Sequence, residues 1–350
     1  MDPTRESMPK VSVIMSVFNG ESYLSQAIES ILSQMFDDFE FIIVDDGSTD
    51  SSPMILEKFA KKDVRIRLLK NNSNSGLIAS LNEAFQVAKG EYIARQDADD
   101  TSLPWRFERQ VQFLDQHPEV GVLGTWMKNI EQNGEEKIWK TPISDSLIRW
   151  SLLLDPPIAH ATVMIRRHVS DGDRTYRPEM AYAEDYDLWS RLSEKTRCAN
   201  LPECHYVRLK HQQMVSVRHS EEQQEKGHAL RRRNIEKTLE AEVDDDLLHS
   251  LHLARQGGKL AGKLELERVA NLICALFATF VEKNELDPQG RAEVANDAAC
   301  LLTRIGIRHI TEYPGESAGI LWNAVCLNRR VPLRGWLNAM LTEWTGLMDR

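Results

Sequence analysis

The chain has 350 residues, 42% of them hydrophobic, enough to bury a substantial core in one large domain or in a domain with an appendage. Lys and Arg total 43 against 53 Asp and Glu, and the net charge of -10 argues against a protein that grips nucleic acid by neutralising phosphates. The longest apolar run, Val269 to Val281, is broken by Asn271 and is shorter than the roughly 20 residues of a membrane span.

The charged start Met1-Asp2-Pro3-Thr4-Arg5-Glu6 shows no apolar leader, so a cytoplasmic protein is expected. Five cysteines, Cys198, Cys204, Cys274, Cys300 and Cys326, are odd in number and form no Cys-x-x-Cys pair, which points to reduced thiols rather than a disulfide framework or structural metal.

In chain order, Val11 to Val17 reads as a strand buried on both faces, and Tyr23, Ala27, Ile28, Ile31 and Leu32 then recur at helical spacing. Phe39 to Val44 is a second strand, halted by the turn chemistry of Asp45-Asp46-Gly47-Ser48. A helix from Pro53 to Lys61, a strand from Val64 to Leu69, a helix from Leu77 to Ala88 and a strand from Glu91 to Arg95 follow. This alternation predicts an α/β fold, a Rossmann-like and mainly parallel sheet flanked by helices.

Ligands bind such sheets at the carboxyl ends of the strands, which sets three polar loops side by side: Ser16-Val17-Phe18-Asn19, Asp45-Asp46-Gly47-Ser48 and Asp97-Ala98-Asp99-Asp100. A carboxylate in the second loop suits a base N–H or a ribose hydroxyl. The third loop, three carboxylates within four residues, repels itself unless a cation sits in it, and a divalent ion bridging to a diphosphate would do so. An acidic loop capping the helix opened by Pro104 is the bland alternative. There is no Gly-x-Gly-x-x-Gly after the first strand and no Walker-type loop, so neither a classical dinucleotide site nor a P-loop is supported.

Beyond the acidic loop, Pro104 to Gln116 reads as a helix, Val120 to Thr125 as a strand, Asn133-Gly134 as a hairpin turn and Ser144 to Leu154 as a helix. Asp155 to Arg167 enters another strand, with His160 at its mouth, either touching substrate or satisfied structurally. Leu188, Trp189 and Leu192 mark a helix whose first turn holds Glu184 and Asp185, which are ordinary partners for a helix dipole or a catalytic pair.

These stretches together resemble the family 2 glycosyltransferases of GT-A fold: Val11 to Met15, Ile42 to Asp50, Asn74-Ser75-Gly76-Leu77, Tyr92 to Asp100, His160 before its strand, and Glu184-Asp185-Tyr186-Asp187-Leu188-Trp189. They keep the family's order from about residue 10 to 218. The resemblance implies an inverting, metal-dependent hexosyl- or N-acetylhexosaminyltransferase that uses a UDP-sugar or another NDP-sugar. It implies Mn2+ or Mg2+ held by Asp99, with Asp97 near the ribose and Asp46 on the base. Ser16, Val17 and Phe18 would surround the nucleoside, and Gly76, Arg95 and His160 would contact the nucleotide-sugar. Asp185 would be the general base and Glu184 would orient it or the acceptor. Ser16 and Phe18 stand where the family often has Pro and Tyr, and Ala161 where a Pro commonly follows the His. A glycan or lipid-linked acceptor in cell-surface polysaccharide synthesis is expected by analogy. A nucleotidyltransferase or a non-catalytic nucleotide-sugar-binding module would use similar loops.

The pattern changes near Ser220, so a GT-A domain over 1–219 and a helical domain over 220–350 are expected. The second has breaks at Gly257-Gly258, Asp287-Pro288, Pro314-Gly315 and Pro332. Arg231-Arg232-Arg233 reads as a solvated face or a patch for an anionic acceptor. An apolar stripe of Leu333, Trp336, Leu337, Met340, Leu341, Trp344 and Leu347 suits docking onto the body, a homo-oligomer, or peripheral contact with the inner face of a membrane.

Overall fold

A computed structural model describes residues 8–170, 176–211 and 219–328, so Pro332 and the apolar stripe lie outside the described residues. The chain divides into two compact units, Met1–His228 and Ala229–Arg350. In the first, strands β1 (Val11–Val17), β2 (Phe39–Asp45), β3 (Ile66–Lys70) and β4 (Tyr92–Arg95) alternate with helices α1 (Leu24–Leu32), α2 (Ser52–Ala60) and α3 (Leu77–Val87). All four strands are parallel, with Val17 beside Asp45 and Ile14 beside Arg95. Their ends therefore share one edge, as expected. Val11, Val13, Met15, Phe41, Ile43, Tyr92 and Ala94 lie in one core with Leu24, Ile28 and Ile31 of α1.

Beyond β4 the sheet changes direction. Short β5 (Thr101–Ser102) and α4 (Arg106–Gln116) lead into β6 (Val120–Ile130), β7 (Glu136–Trp139), α5 (Asp145–Ser151), β8 (Met164–Arg166), α6 (Glu184–Leu192) and β9 (Arg197–Leu209). The strand order is β3-β2-β1-β4-β8-β6-β9-β5, with β7 on β6. Strand β8 runs antiparallel to β4 and β6, whereas β9 runs parallel to β6 with register shifts. The α/β class holds, and the sheet is mixed because its second half turns back through β8. The hairpin expected at Asn133-Gly134 joins β6 to β7, and Gly134 adopts φ 82° there.

The second unit is helical. Helix α7 (Ser220–Leu239) spans the division, followed by α8 (Asp245–Arg255), α9 (Lys263–Lys283), α10 (Pro288–His309) and α11 (Pro314–Leu327). The breaks fall where the punctuation predicts. Pro288 and Pro314 open helices, and the Asp287 carboxylate accepts from the Gly290 N–H at 2.6 Å. The Arg triplet is not an open cluster: Arg231 is buried and Arg232 pairs with Asp245. Among the described residues no helix is long and apolar enough to cross a membrane. The five cysteines are free thiols, with Cys198 buried.

Candidate functional site

The loops at the ends of β1 and β2 are tied to one another. The Asn19 side-chain oxygen accepts from the Thr49 N–H at 2.8 Å, and the Asn19 N–H donates to Ser48 Oγ at 3.0 Å, with Asn19 itself at φ 52°. Gly47 sits at φ 72°, where a Cβ would come within 2.7 Å of the Ser73 backbone, so only glycine lets the second loop approach the stretch between β3 and α3 so closely.

Asp46 is the hub of that approach. One of its oxygens accepts from Asn71 Nδ2 at 2.8 Å and the Ser75 N–H at 2.9 Å, and the other accepts from the Gly76 N–H at 2.8 Å. A carboxylate has about four acceptor positions, so one remains for a ligand. Phe18 projects at the tip of the first loop, 48% exposed. Ser16 is half-buried, whereas the Val17 side chain is wholly in the core and its carbonyl accepts from the Asp46 N–H at 2.8 Å.

Buried Gln96 shapes the acidic loop. Its amide donates to the carbonyls of Asp97 at 2.9 Å and Asp100 at 3.0 Å, which closes the turn on itself. The Asp97 N–H donates to the Tyr206 hydroxyl at 3.1 Å. The Asp97 carboxylate pairs with buried Arg95 at 2.5 Å and 3.0 Å; burial pushes its pKa up while Arg95 pulls it back. Asp100 does not cap the following helix, which begins at Arg106 with no side-chain cap. Its carboxylate instead accepts from the Leu209 N–H at 3.2 Å, and burial followed by Asp97 and Asp99 holds it well above the ordinary carboxylate range.

Asp99 is the more open member. Its carboxylate lies 2.9 Å from Nε2 of His211, a residue just past the end of β9 whose ring stacks on Tyr23 at 4.8 Å. The buried Nδ1 of that imidazole has no hydrogen-bond partner among the described residues. Sequence reasoning missed His211 because a lone histidine at the end of a strand has no informative spacing. Among the described residues no three His, Cys, Asp or Glu come together to hold a metal by themselves. One carboxylate and one imidazole nonetheless fit a divalent cation that draws its other ligands from water and phosphate.

On the other side, Tyr182 adopts φ 72° immediately before α6 and stacks on His219 at 4.3 Å. A non-glycine residue held there costs about 1–3 kcal/mol and is characteristic of functional sites. Glu184 and Asp185 follow in the first turn of α6. Burial first, then Asp185, pushes Glu184 up to about 7. Burial likewise raises Asp185, against the Tyr186 N–H at 2.7 Å and the charge of Arg95. Asp97 also acts on Asp185, so the acidic loop and the start of α6 share one electrostatic neighbourhood with Arg95 between their charges. His160 borders it, its Nδ1 3.7 Å from Glu184 Oε1. The expected residues are thus drawn into two linked groups: Ser16 to Phe18, Asp46 and Gly76 on one side, and Arg95, Asp97, His160, Glu184 and Asp185 on the other, with Asp99 at the acidic loop.

A parallel half-sheet ending in acidic and amide-lined loops, extended by a mixed half whose helix α6 opens with a carboxylate pair, defines the GT-A class of fold. The chain belongs to glycosyl transferase family 2, whose model matches residues 12–191. A Haemophilus influenzae protein described as an uncharacterized glycosyltransferase is 33% identical over 240 residues, covering 66% of this chain and 74% of that one. The O-antigen biosynthesis glycosyltransferase WbnJ of Escherichia coli is 34% identical over 199 residues, 55% of this chain and 77% of its own length. Among solved structures, S. aureus TarS in complex with UDP-GlcNAc superposes with a TM-score of 0.54 at 21% identity, covering 92% of both chains. The mannosyltransferase PcManGT of Pyrobaculum calidifontis, in complex with GDP-Man and Mn2+, gives 0.51 at 16% identity, with 94% and 88% covered.

Proposed function

We propose that this glycosyltransferase is inverting and metal-dependent, moving a sugar from a UDP-sugar or another NDP-sugar onto an acceptor hydroxyl, in the synthesis of a cell-surface polysaccharide or lipid-linked glycan. The observation that carries the reading is the pairing of two sites of opposite chemistry. An acidic loop with one open carboxylate beside an imidazole is coupled, through the charge of Asp97, to a buried carboxylate pair at a helix N-terminus. The UDP-GlcNAc and GDP-Man bound by solved neighbours support a nucleotide-sugar donor, and WbnJ supports a surface-polysaccharide setting.

Asp46 and the N–H groups it organises, with Phe18 beside them, bind the nucleoside. Asp97, held by Arg95, lies at the ribose. Asp99 and His211 hold Mn2+ or Mg2+. When bound, the cation supplies charge neutralisation for the leaving diphosphate. Asp185 accepts the proton of the acceptor hydroxyl as that oxygen attacks the anomeric carbon, and its raised pKa makes it a stronger base than a free carboxylate. Glu184 keeps Asp185 in place, and a single displacement turns an α-linked donor into a β-linked product. The first unit performs the chemistry, and the helical second unit serves docking, assembly or acceptor contact.

The nucleotidyltransferase alternative is less well supported, because the loop after β1 is Phe18-Asn19 rather than a Gly- and Lys/Arg-rich triphosphate cradle. The metal assignment predicts that EDTA weakens nucleotide-sugar binding at least tenfold in wild type and has no further effect in Asp99→Ala, measured by calorimetry. Binding indifferent to EDTA removes Asp99 from the role.

A further inference from the structure

A buried polar chain runs from the middle of α3 to the start of α6. Asn82 clasps the backbone of Tyr176: its side-chain oxygen accepts from the Tyr176 N–H at 2.8 Å and its amide donates to the Tyr176 carbonyl at 2.9 Å. Tyr176 is 1% exposed and packs edge-on against Phe85, also on α3, at 5.8 Å. Its hydroxyl lies 2.8 Å from His160 Nε2, and the other nitrogen of that ring faces Glu184 Oε1 at 3.7 Å. The ring of Trp189, further along α6, stands edge-on to His160 at 5.9 Å. Helix α3 begins beside Gly76, the residue whose N–H holds Asp46. One helix therefore carries both the Asp46 loop and the clasp on Tyr176.

Burial and the nearby charge of Arg95 push His160 well below its ordinary range, so its ring is neutral and carries one N–H. In a neutral imidazole one nitrogen donates and the other accepts. A tyrosine hydroxyl donating to Nε2 leaves the hydrogen on Nδ1, toward Glu184.

We propose that Tyr176 is a positioning residue for transfer: its hydroxyl donates to His160 Nε2, fixes the Nδ1–H tautomer, and aims that N–H at Glu184 so that this carboxylate stays beside Asp185. The inference rests on the reading of Asp185 as base. The groups acting on Glu184 are Asp185 on its own helix, Arg95 from β4, the backbone N–H groups of Tyr182 and of Glu184 itself, the Tyr176 hydroxyl, and His160 from the turn before β8. An Nδ1–H favours ionised Glu184, whereas a bare Nδ1 lone pair favours the protonated form.

Nitrogen-15 NMR of the histidine rings between pH 5 and 9, with His160 assigned by loss of its signals in His160→Gln, tests this without any substrate. Wild type is expected to show Nδ1–H at pH 8 and a perturbation near pH 7 that vanishes in Glu184→Gln. Tyr176→Phe is expected to shift the ring to Nε2–H and raise the Glu184 transition by about one pH unit, tenfold in proton affinity. An Nε2–H tautomer in wild type overturns the proposal by itself, even if the phenylalanine variant fails to fold, and so does an unchanged tautomer in a folded Tyr176→Phe. Turnover by Asp185→Asn would instead sink the base assignment and leave the tautomer result standing.

Discussion

Asp185→Asn is expected to lower the rate of sugar transfer by about 10²–10⁴ while nucleotide-sugar binding stays within a few-fold of wild type. The amide keeps the size and the Tyr186 N–H contact of the carboxylate but cannot take the acceptor proton. Kinetics at saturating donor check the first half and calorimetry the second. An active Asn variant would contradict the assignment.

The same site sets the pH dependence. The proposed base must be ionised, so transfer is expected to fall as pH drops through the pKa of the Glu184–Asp185 pair, which burial and the neighbouring carboxylates raise, Glu184 to about 7. The acidic limb is therefore expected near neutrality rather than near pH 4. The sign for stability is opposite. A carboxylate whose folded pKa exceeds its unfolded value of 4.5 holds more protons in the folded state between those two values. Its burial therefore costs stability above about pH 7, and that cost is relieved as pH falls toward 4.5.

The largest stability effect is expected at Arg106, which is 0% exposed. Its guanidinium donates to uncharged acceptors: Gln110 Oε1 at 3.1 Å, Ser102 Oγ at 2.8 Å, Gln96 Oε1 at 3.3 Å, and the carbonyls of Arg95 at 2.8 Å and Val163 at 3.3 Å. Burial pulls its pKa down to about 10, while Tyr206 and Asp97 act in the other direction. Through Gln96 and the Arg95 carbonyl this side chain sits beneath the acidic loop. Arg106→Met removes a buried cation but strands its acceptors, and urea denaturation is expected to register a loss of about 3–5 kcal/mol. Arg106→Lys should recover little of it, because one ammonium cannot reproduce the fork. Wild-type stability in the Met variant would mean that the carbonyls find other partners.

The first half of the fold is legible because strands buried on both faces appear as unbroken apolar runs, and the helices between them repeat at their own period. Strand β9 is not legible. Its sequence, Arg197 to Leu209, mixes charges with Pro202 and shifts register against β6. The reversal at β8 is equally silent, since three residues carry no sign of direction. Among site residues, Asp46, Asp97, Asp99, Glu184 and Asp185 stand out as carboxylates at element ends, where charge has a reason. His211, Tyr206 and Tyr176 do not, because each acquires its meaning from a partner far away in sequence, and Arg106 does not, because nothing in a charged residue among its neighbours announces burial. Tyr206 reaches Asp97, and His211 reaches Asp99. The charge cluster in the acidic loop is visible in one dimension, whereas the groups that brace it are assembled only by the sheet.

The central claim, inverting transfer from a nucleotide-sugar, is tested most directly by incubating the protein with UDP-GlcNAc, UDP-glucose, UDP-galactose and GDP-mannose in Mn2+ and following slow donor hydrolysis by proton NMR. Water then stands in for the acceptor. The predicted result is release of nucleoside diphosphate from at least one donor, with the free sugar appearing first as its β anomer and no release in EDTA. Sugar appearing first as the α anomer, or nucleoside monophosphate with sugar phosphate, would contradict it.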